Sequence, residues 1–373
     1  MKHIPDFFSK EDNLSIALPE LFERWGYKKY RMSKFEEFSF YSDNRNFLSN
    51  SEIIAFNNAD GRLMALKPDI TLSIVKNAKL SEKLTKLYYN ESVFRMSSGS
   101  RDFKEIKQCG VEVLGEIDNY LTSEIIMLAA ESLAMIDENY VLSVSHNALL
   151  LSLIEEFNVT LAVKKQLISC IGGKNIHDFK RLCVNYSVPD EMTEKVCRLA
   201  GIEGKINDVL GDVKALCTSE KMLDAVAELE FVCSALTACG LSDKIHIDLS
   251  VTQHIDYYTG IVFRGYVEKA PNAVLSGGRY DRLARKIRDN IGAVGFAVYL
   301  DNLNLYYRKA AEFDADLLVI CKDTENSEKL LGLLMEHTRN GLCVRVERSC
   351  PEAFRARKTA VFENGELKEA QIC

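Results

Sequence analysis

"KLYYNESVFRM", Lys86–Met96, and "FKEIKQCGVEVLG", Phe103–Gly115, are two β-rich segments that decide the fold. The residues "SSGSRD" between them make a loop too long for a two-residue turn, so the pattern predicts a long antiparallel hairpin. Side chains alternate along a strand, so Gln108, Gly110 and Glu112 should share one face of the second strand. Polar side chains that alternate with glycine are unusual in a core, which makes this face a candidate ligand site.

The segment before the hairpin predicts one helix and several short strands. Apolar residues recur at helical spacing over residues 10 to 25, although Pro19 should kink or break that helix. The segments "YKKYRM" and "FEEFSFY" are typical of strands. A further strand should end near Leu66, followed by a proline turn and a helix from about Asp69.

The segment after the hairpin is first helical and then β-rich again. Apolar residues lie three and four apart from about Asn147 to Cys239, and strand patterns return in "KIHIDLSV", "YYTGIVFRGYV" and "NIGAVGFAVYL". The C-terminal tail has the pattern of a strand, a helix and a second strand. We therefore predict an α+β fold with three parts, which are a sheet domain (residues 1–146 and 241–312), a helical insertion (147–240) and a small C-terminal α/β domain (313–373).

Composition excludes several classes of protein. The chain has 373 residues and a formal net charge of -7, which does not favour binding to a long run of phosphates. The 11 cysteines stand singly and the six histidines are dispersed, so we expect no zinc site, disulfide framework or other metal site, and no cofactor. The N-terminus lacks an apolar signal core and no long apolar run is present, so we expect a cytoplasmic protein.

Several charged and aromatic side chains are complementary to an amino acid. Asp69, Gln108 and Glu112 would face an ammonium or imidazole group, and Arg95 would face a carboxylate. The tyrosines of "DYYTG" and the segment "GGRYD" would complete the site. The alternative is a structural ion pair between Glu112 and Arg95 beside half-buried tyrosines, and these residues alone do not decide between the two.

Five segments, in order, resemble the class II aminoacyl-tRNA synthetases and, among them, the histidyl-tRNA synthetases. They are "LKPDITLSIV", "VFRMSSGSRDFKEIKQCGVEVLG", "HIDYYTGIVF", "LSGGRYDRL" and "AVGFAVYLDNL". The resemblance implies a mostly antiparallel sheet flanked by helices, and a homodimer formed through the region around Tyr27 to Phe40. It also implies a histidine-binding set in this chain: Asp69, Thr71, Arg95, Gln108, Glu112, Tyr257, Tyr258, Arg279 and Tyr280.

The departures from that family fall on positions that hold ATP or assist adenylation. Ser97 stands where the family has a glutamate, Gln253 where it has an arginine, and Asp301-Asn302 where it has Glu-Arg, preceded by Tyr299 in place of a glycine. Adenylation places negative charge on phosphates, and fixed cations stabilise that charge. The sequence therefore predicts histidine recognition without ATP chemistry, and no catalytic residues.

This combination is similar to the regulatory subunits of ATP phosphoribosyltransferase, which are synthetase-like. The resemblance implies a protein without activity of its own that joins the short catalytic subunit in a hetero-octamer and relays feedback inhibition by histidine in histidine biosynthesis. A divergent histidyl-tRNA synthetase is the alternative, and Arg101, Arg264 or Arg279 would then have to replace the missing cations. A third possibility, a module that senses uncharged tRNA, is disfavoured by the acidic charge balance.

Overall fold

The computed structural model describes residues 9–48, 53–79, 83–96, 102–252, 257–307, 313–322 and 327–370. The chain forms two compact units, Met1–Arg308 and Lys309–Cys373, and each is treated separately below. The predicted division into sheet domain, helical insertion and tail remains a prediction.

Within the described part of the larger unit, most strands join one mixed sheet with the order β1-β5-β6-β12-β11-β10-β7-β9-β8, and three join a small antiparallel sheet with the order β2-β4-β3. Only the pairs β1-β5 and β7-β9 of the large sheet are parallel. The strands are β1 (Lys28–Lys29), β2 (Phe35–Glu37), β3 (Ala55–Asn57), β4 (Leu63–Leu66), β5 (Leu84–Met96), β6 (Phe103–Gly115), β7 (Tyr140–His146), β8 (Glu203–Gly204), β9 (Ile245–Asp248), β10 (Ile261–Val267), β11 (Leu275–Arg279) and β12 (Gly292–Tyr299).

Helices cover both faces of the large sheet, and α5 to α10 form the predicted helical segment. The helices are α1 (Lys10–Arg24), α2 (Phe38–Asp43), α3 (Ile70–Asn77), α4 (Asn119–Ile136), α5 (Asn147–Glu155), α6 (Leu161–Gly172), α7 (Ile176–Asn185), α8 (Asp190–Ala200), α9 (Ile206–Leu216), α10 (Glu220–Ala238), α11 (Asp281–Ile287) and α12 (Leu300–Tyr307).

The hairpin of β5 and β6 is confirmed, and it separates two apolar cores. Its strands pair antiparallel from Leu84↔Gly115 to Met96↔Phe103. Cys109 and Val111 join the core built around α1, α4 and the helical segment, whereas Tyr89 joins the core beside α3 and α11. Gln108 and Glu112 have the opposite parity to Cys109 and Val111, so they face the second core, where a cavity lies.

Two local predictions in the N-terminal region are wrong in part. Helix α1 is not broken at Pro19. Proline cannot donate to the carbonyl four residues earlier, and here the Asn90 side chain on β5 donates to the Ser15 carbonyl oxygen instead, at 3.0 Å. The strand predicted over "FEEFSFY" is confirmed only for β2, and its second half belongs to helix α2, which continues to Asp43.

The smaller unit contains β13 (Ala315–Ile320), α13 (Ser327–Arg339), β14 (Val344–Glu347), β15 (Ala356–Glu363) and β16 (Glu366–Glu369). Its strands have the order β14-β13-β15-β16, and β13 is parallel to both neighbours. Cys350 is disulfide-bonded, whereas the single spacing of the cysteines predicted no disulfide framework. Among the described residues, no helix is long and apolar enough to cross a membrane.

Candidate functional site

A cavity of about 130 Å³ lies on the α3 face of the large sheet. Strands β5, β6, β11 and β12, helix α3 and the segment before β10 contribute to its walls. Eight of the nine predicted histidine-binding residues line it: Asp69, Thr71, Arg95, Gln108, Glu112, Tyr257, Tyr258 and Tyr280. The structure therefore brings together side chains that are up to 211 positions apart in the sequence, between Asp69 and Tyr280.

Glu112 is the buried acid of the cavity. It is only 2% exposed, the Thr71 hydroxyl donates to its Oε1 at 2.6 Å, and the Tyr280 hydroxyl donates to its Oε2. Burial raises the pKa of this carboxyl to about 8, although both hydroxyl donors favour the ionised form. Glu112 can therefore hold or release a proton near neutral pH.

Asp69 and Arg95 place opposite charges side by side in the same cavity. Asp69 caps helix α3, where its Oδ1 accepts the Leu72 N–H at 2.8 Å. The Arg95 Nη2 is 3.9 Å from the Asp69 Oδ2, and the Arg95 Nε donates to the Pro68 carbonyl oxygen at 2.8 Å. Both side chains are more exposed than Glu112, at 27% for Arg95 and 16% for Asp69, so they are accessible to a ligand.

Tyrosine rings form much of the wall. The ring centroids of Tyr257 and Tyr258 are 4.7 Å apart, and those of Tyr257 and Tyr280 are 5.5 Å apart. Burial raises the pKa of all three hydroxyl groups well above the ordinary tyrosine value, so the rings are neutral. Flat neutral rings beside a carboxylate suit a planar cationic or aromatic group.

Two further tyrosines, which the predicted histidine-binding set does not include, line the cavity. Tyr89 lies opposite Gly110 on β5, and Tyr299 lies opposite Gln108 on β12. The Tyr299 hydroxyl is 2.5 Å from the Ser276 hydroxyl, which also lines the cavity. With the hairpin register known, the alternation of side chains predicts that Tyr89 lies on the same face as Gln108 and Glu112. The position of Tyr299 beside Gln108 follows only from the pairing of β12 with β6, two strands that are distant in sequence.

Arg279 does not line this cavity, so its predicted membership of the site is not supported by its position. Tyr280 faces the cavity, and its neighbour Arg279 points to the other side. The Arg279 Nε donates to the Asp281 Oδ2 at 2.9 Å, and its Nη1 is 3.4 Å from the Glu228 Oε1 on α10.

The positions that depart from the synthetase pattern are described only in part. Ser97, Arg101 and Gln253 lie outside the described residues, and Asn302 is described only as part of α12. The Asp301 Oδ2 accepts the Lys107 N–H at 2.9 Å. No group of three or more histidine, cysteine, aspartate or glutamate side chains in the described ranges could hold a metal ion.

The family profile described as histidyl-tRNA synthetase matches residues 2–303. The ATP phosphoribosyltransferase regulatory subunit of Oceanobacillus iheyensis is 26% identical over 80% of this chain and 74% of its own, and that of Alkaliphilus metalliredigens is 27% identical over 94% and 87%. The histidine–tRNA ligase of Methanocaldococcus jannaschii is 27% identical over 92% of this chain and 83% of its own.

Solved structures confirm the predicted class II synthetase-like α+β fold. An ATP phosphoribosyltransferase regulatory subunit/histidyl-tRNA synthetase from Bacillus halodurans has a TM-score of 0.75 at 21% identity, over 93% of this chain and 91% of its own. A chain of the ATP phosphoribosyl transferase (HisG:HisZ) complex from Thermotoga maritima has a TM-score of 0.61 at 18% identity, over 80% and 98%. At these identities the structures establish the fold alone, whereas the profile spans most of the sequence: this chain belongs to the histidyl-tRNA synthetase family.

Proposed function

We propose that this chain is a non-catalytic regulatory subunit of ATP phosphoribosyltransferase and that it binds histidine in the cavity beside α3. The proposal includes a complex with the short catalytic subunit, a hetero-octamer, and feedback inhibition by histidine in the first step of its biosynthesis. The names of the Oceanobacillus and Alkaliphilus relatives support the role, and the Thermotoga complex supports a catalytic-subunit partner.

The observation that carries the proposal is the spatial arrangement of the charged side chains in the cavity. Asp69 and Arg95 lie 3.9 Å apart, which suits the adjacent α-amino and α-carboxylate groups of an amino acid. The buried carboxyl of Glu112 then faces the ligand's side chain, so that side chain should be able to donate a hydrogen bond or carry positive charge. Histidine meets both conditions with a short, planar group that fits between tyrosine rings in a cavity of about 130 Å³.

Two features of the described residues support a protein that does not adenylate histidine. Tyr299 adds a bulky neutral side chain to the cavity wall where the family resemblance implies a glycine. Asp301 is engaged by the Lys107 N–H. Neither residue supplies a cation for the negative charge that builds up on ATP phosphates during adenylation.

The second candidate is a divergent histidyl-tRNA synthetase, which the match to the Methanocaldococcus ligase favours. An enzyme of this kind should catalyse histidine-dependent exchange between ATP and pyrophosphate. We expect no such exchange above background. A rate like that of an authentic histidyl-tRNA synthetase would reject the regulatory proposal.

The direct test is phosphoribosyl-ATP formation by the short catalytic subunit, with and without this chain, over a histidine titration. We expect this chain to stimulate the rate and histidine to reverse that stimulation. The Glu112→Gln variant should still stimulate but should lose most of the histidine inhibition, with Glu105→Gln, exposed on the same strand, as the control. Loss of the complex in Glu112→Gln, judged by size-exclusion chromatography, would assign Glu112 to assembly instead.

A further inference from the structure

A second cavity, of about 330 Å³, lies away from the proposed histidine site. Its walls come from the end of β7, from α10, from the turn before β10, from the end of β11 and from α11. This volume is within the ordinary range for small-molecule pockets. The lining residues are His146, Glu228, Thr259, Gly260, Arg279, Asp281, Arg282 and Arg285.

Two carboxylates of this cavity hold Arg279 in place. The Arg279 Nε donates to the Asp281 Oδ2 at 2.9 Å, and its Nη1 donates to the Glu228 Oε1 at 3.4 Å. The His146 Nδ1 accepts the Ala148 N–H at 3.2 Å, so its Nε2 carries the proton and donates to the Glu228 Oε2 at 3.0 Å. Burial alone would raise the pKa of Glu228, but these partners hold it below its ordinary value, so Glu228 is ionised.

The two other arginines of the cavity, Arg282 and Arg285, are exposed to solvent and have no close partner in the described part of the chain. Arg282 makes no ion pair with any described residue, and the Arg285 Nη2 is 4.0 Å from the Asp281 Oδ2, at the limit of an ion pair. The Thr259 hydroxyl oxygen is buried and has no hydrogen-bond partner among the described residues. Three guanidinium groups against two carboxylates leave the lining with an excess positive charge.

We propose that this second cavity binds the phosphoryl group of a small phosphorylated ligand. A phosphoryl group presents several strong acceptor oxygens, and guanidinium groups recognise it through paired N–H donors. Arg282 and Arg285 would supply those donors, and the buried, unpaired Thr259 hydroxyl would add one more once its side chain rotates toward the cavity. Arg279, fixed by Glu228 and Asp281, adds a third positive charge without having to reorganise.

The test uses the full chain and isothermal titration calorimetry with two probes, inorganic phosphate and pyrophosphate. We expect saturable binding of at least one probe at one site per chain. The double variant Arg282→Gln/Arg285→Gln should weaken it by about tenfold or more, because charge-assisted hydrogen bonds are lost. The matched control is Arg181→Gln/Arg198→Gln, which removes two exposed arginines from α7 and α8 and should leave the affinity unchanged.

Thr259→Val distinguishes a built site from general attraction of anions. Valine keeps the size of the side chain and removes only the hydroxyl, so it should weaken the probe severalfold without changing the net charge. No saturable binding of either probe would overturn the proposal, as would equal weakening in the two double-arginine variants, or full affinity in Thr259→Val. Histidine titrated into the same samples reports on the first cavity, so failure of the proposed function would be seen separately.

Discussion

Replacing Glu112 by glutamine should stabilise the histidine-free protein and also remove most of its affinity for histidine. The reason is the pKa of this buried carboxyl, which burial raises to about 8 from an ordinary value of 4.5. Between these two pH values the folded state keeps a proton on Glu112 that the unfolded state releases. The free energy of unfolding therefore falls as pH rises from 4.5 to about 8.

The magnitude follows from the shift. Each pH unit in this window costs about 1.4 kcal/mol, so the full shift amounts to roughly 5 kcal/mol above pH 8 and roughly 3 kcal/mol at pH 7. Glutamine has nearly the same shape and no titrating proton, so it removes this cost. Its amide can still accept from Thr71 and donate to the Tyr280 hydroxyl, so no buried hydroxyl loses its partner.

The assay is urea unfolding from pH 5 to 9 without histidine, followed by the fluorescence of Trp25, the single tryptophan of the chain, which lies in the larger unit. The difference in unfolding free energy between Glu112→Gln and the wild type should grow by about 1.4 kcal/mol per pH unit up to pH 8 and then level off. Glu105→Gln, on the exposed part of the same strand, should show no such trend. A difference that does not change with pH would refute the reasoning.

Histidine supplies the second half of the same experiment. Ligand at a hundred times its dissociation constant should stabilise the wild type by about 2.7 kcal/mol. The same concentration should stabilise Glu112→Gln by much less, because the variant cannot provide the carboxylate that faces the ligand's side chain. A variant that is both more stable and fully responsive to histidine would show that Glu112 is not part of the ligand site.

Three further predictions concern the same cavity. Histidine affinity should peak between pH 6.5 and 8. The reason is that the complex shares one proton between the imidazole, with a pKa of about 6.5, and Glu112, with a pKa of about 8. Calorimetry that shows a monotonic pH dependence would contradict this. Arg95→Gln should weaken histidine about tenfold or more but leave histidinol, which lacks the carboxylate, nearly unaffected in the same titrations; an equal loss for both ligands would mean that Arg95 does not bind the carboxylate. Gly295→Ala should destabilise the larger unit by about 3 kcal/mol in thermal unfolding, because the added methyl group would collide with the Glu112 carboxylate and the Val111 carbonyl. The control Gly211→Ala, in open space on α9, should not destabilise it. Equal stabilities of the two variants would mean that β12 shifts freely.

Much of the architecture around the site could be predicted from local patterns. The alternation over Lys86–Met96 and Phe103–Gly115 predicted the hairpin, because period two reflects a property of each strand alone. The same alternation placed Gln108 and Glu112 on one face, away from Cys109. The continuous course of α1 through Pro19 has a non-local contribution, because the freed Ser15 carbonyl accepts from Asn90 on a strand that is more than sixty residues away.

The residues that line the first cavity could be predicted only from their positions in segments that resemble family motifs. The resemblance of "LSGGRYDRL" to a family motif placed both Arg279 and Tyr280 in the predicted histidine-binding set. Adjacent residues at a strand end face opposite sides, so the structure assigns Tyr280 to the first cavity and Arg279 to the second. Two neighbouring residues of a motif therefore need not belong to the same site when the motif has an extended backbone.

No local sequence pattern predicts the pairing of β6 with β12, and the proposed chemistry depends on that pairing. This register sets Gly295 opposite Glu112 and Tyr299 opposite Gln108. A side chain at position 295 would occupy the space that the Glu112 carboxylate fills, so the glycine there allows β6 to carry a buried acid next to β12. Burying that acid costs stability whenever it is ionised, and a cationic ligand offsets the cost. A fold that needed only to be stable would replace Glu112 by a neutral residue, so its presence in this register is best explained by a ligand with a proton to share.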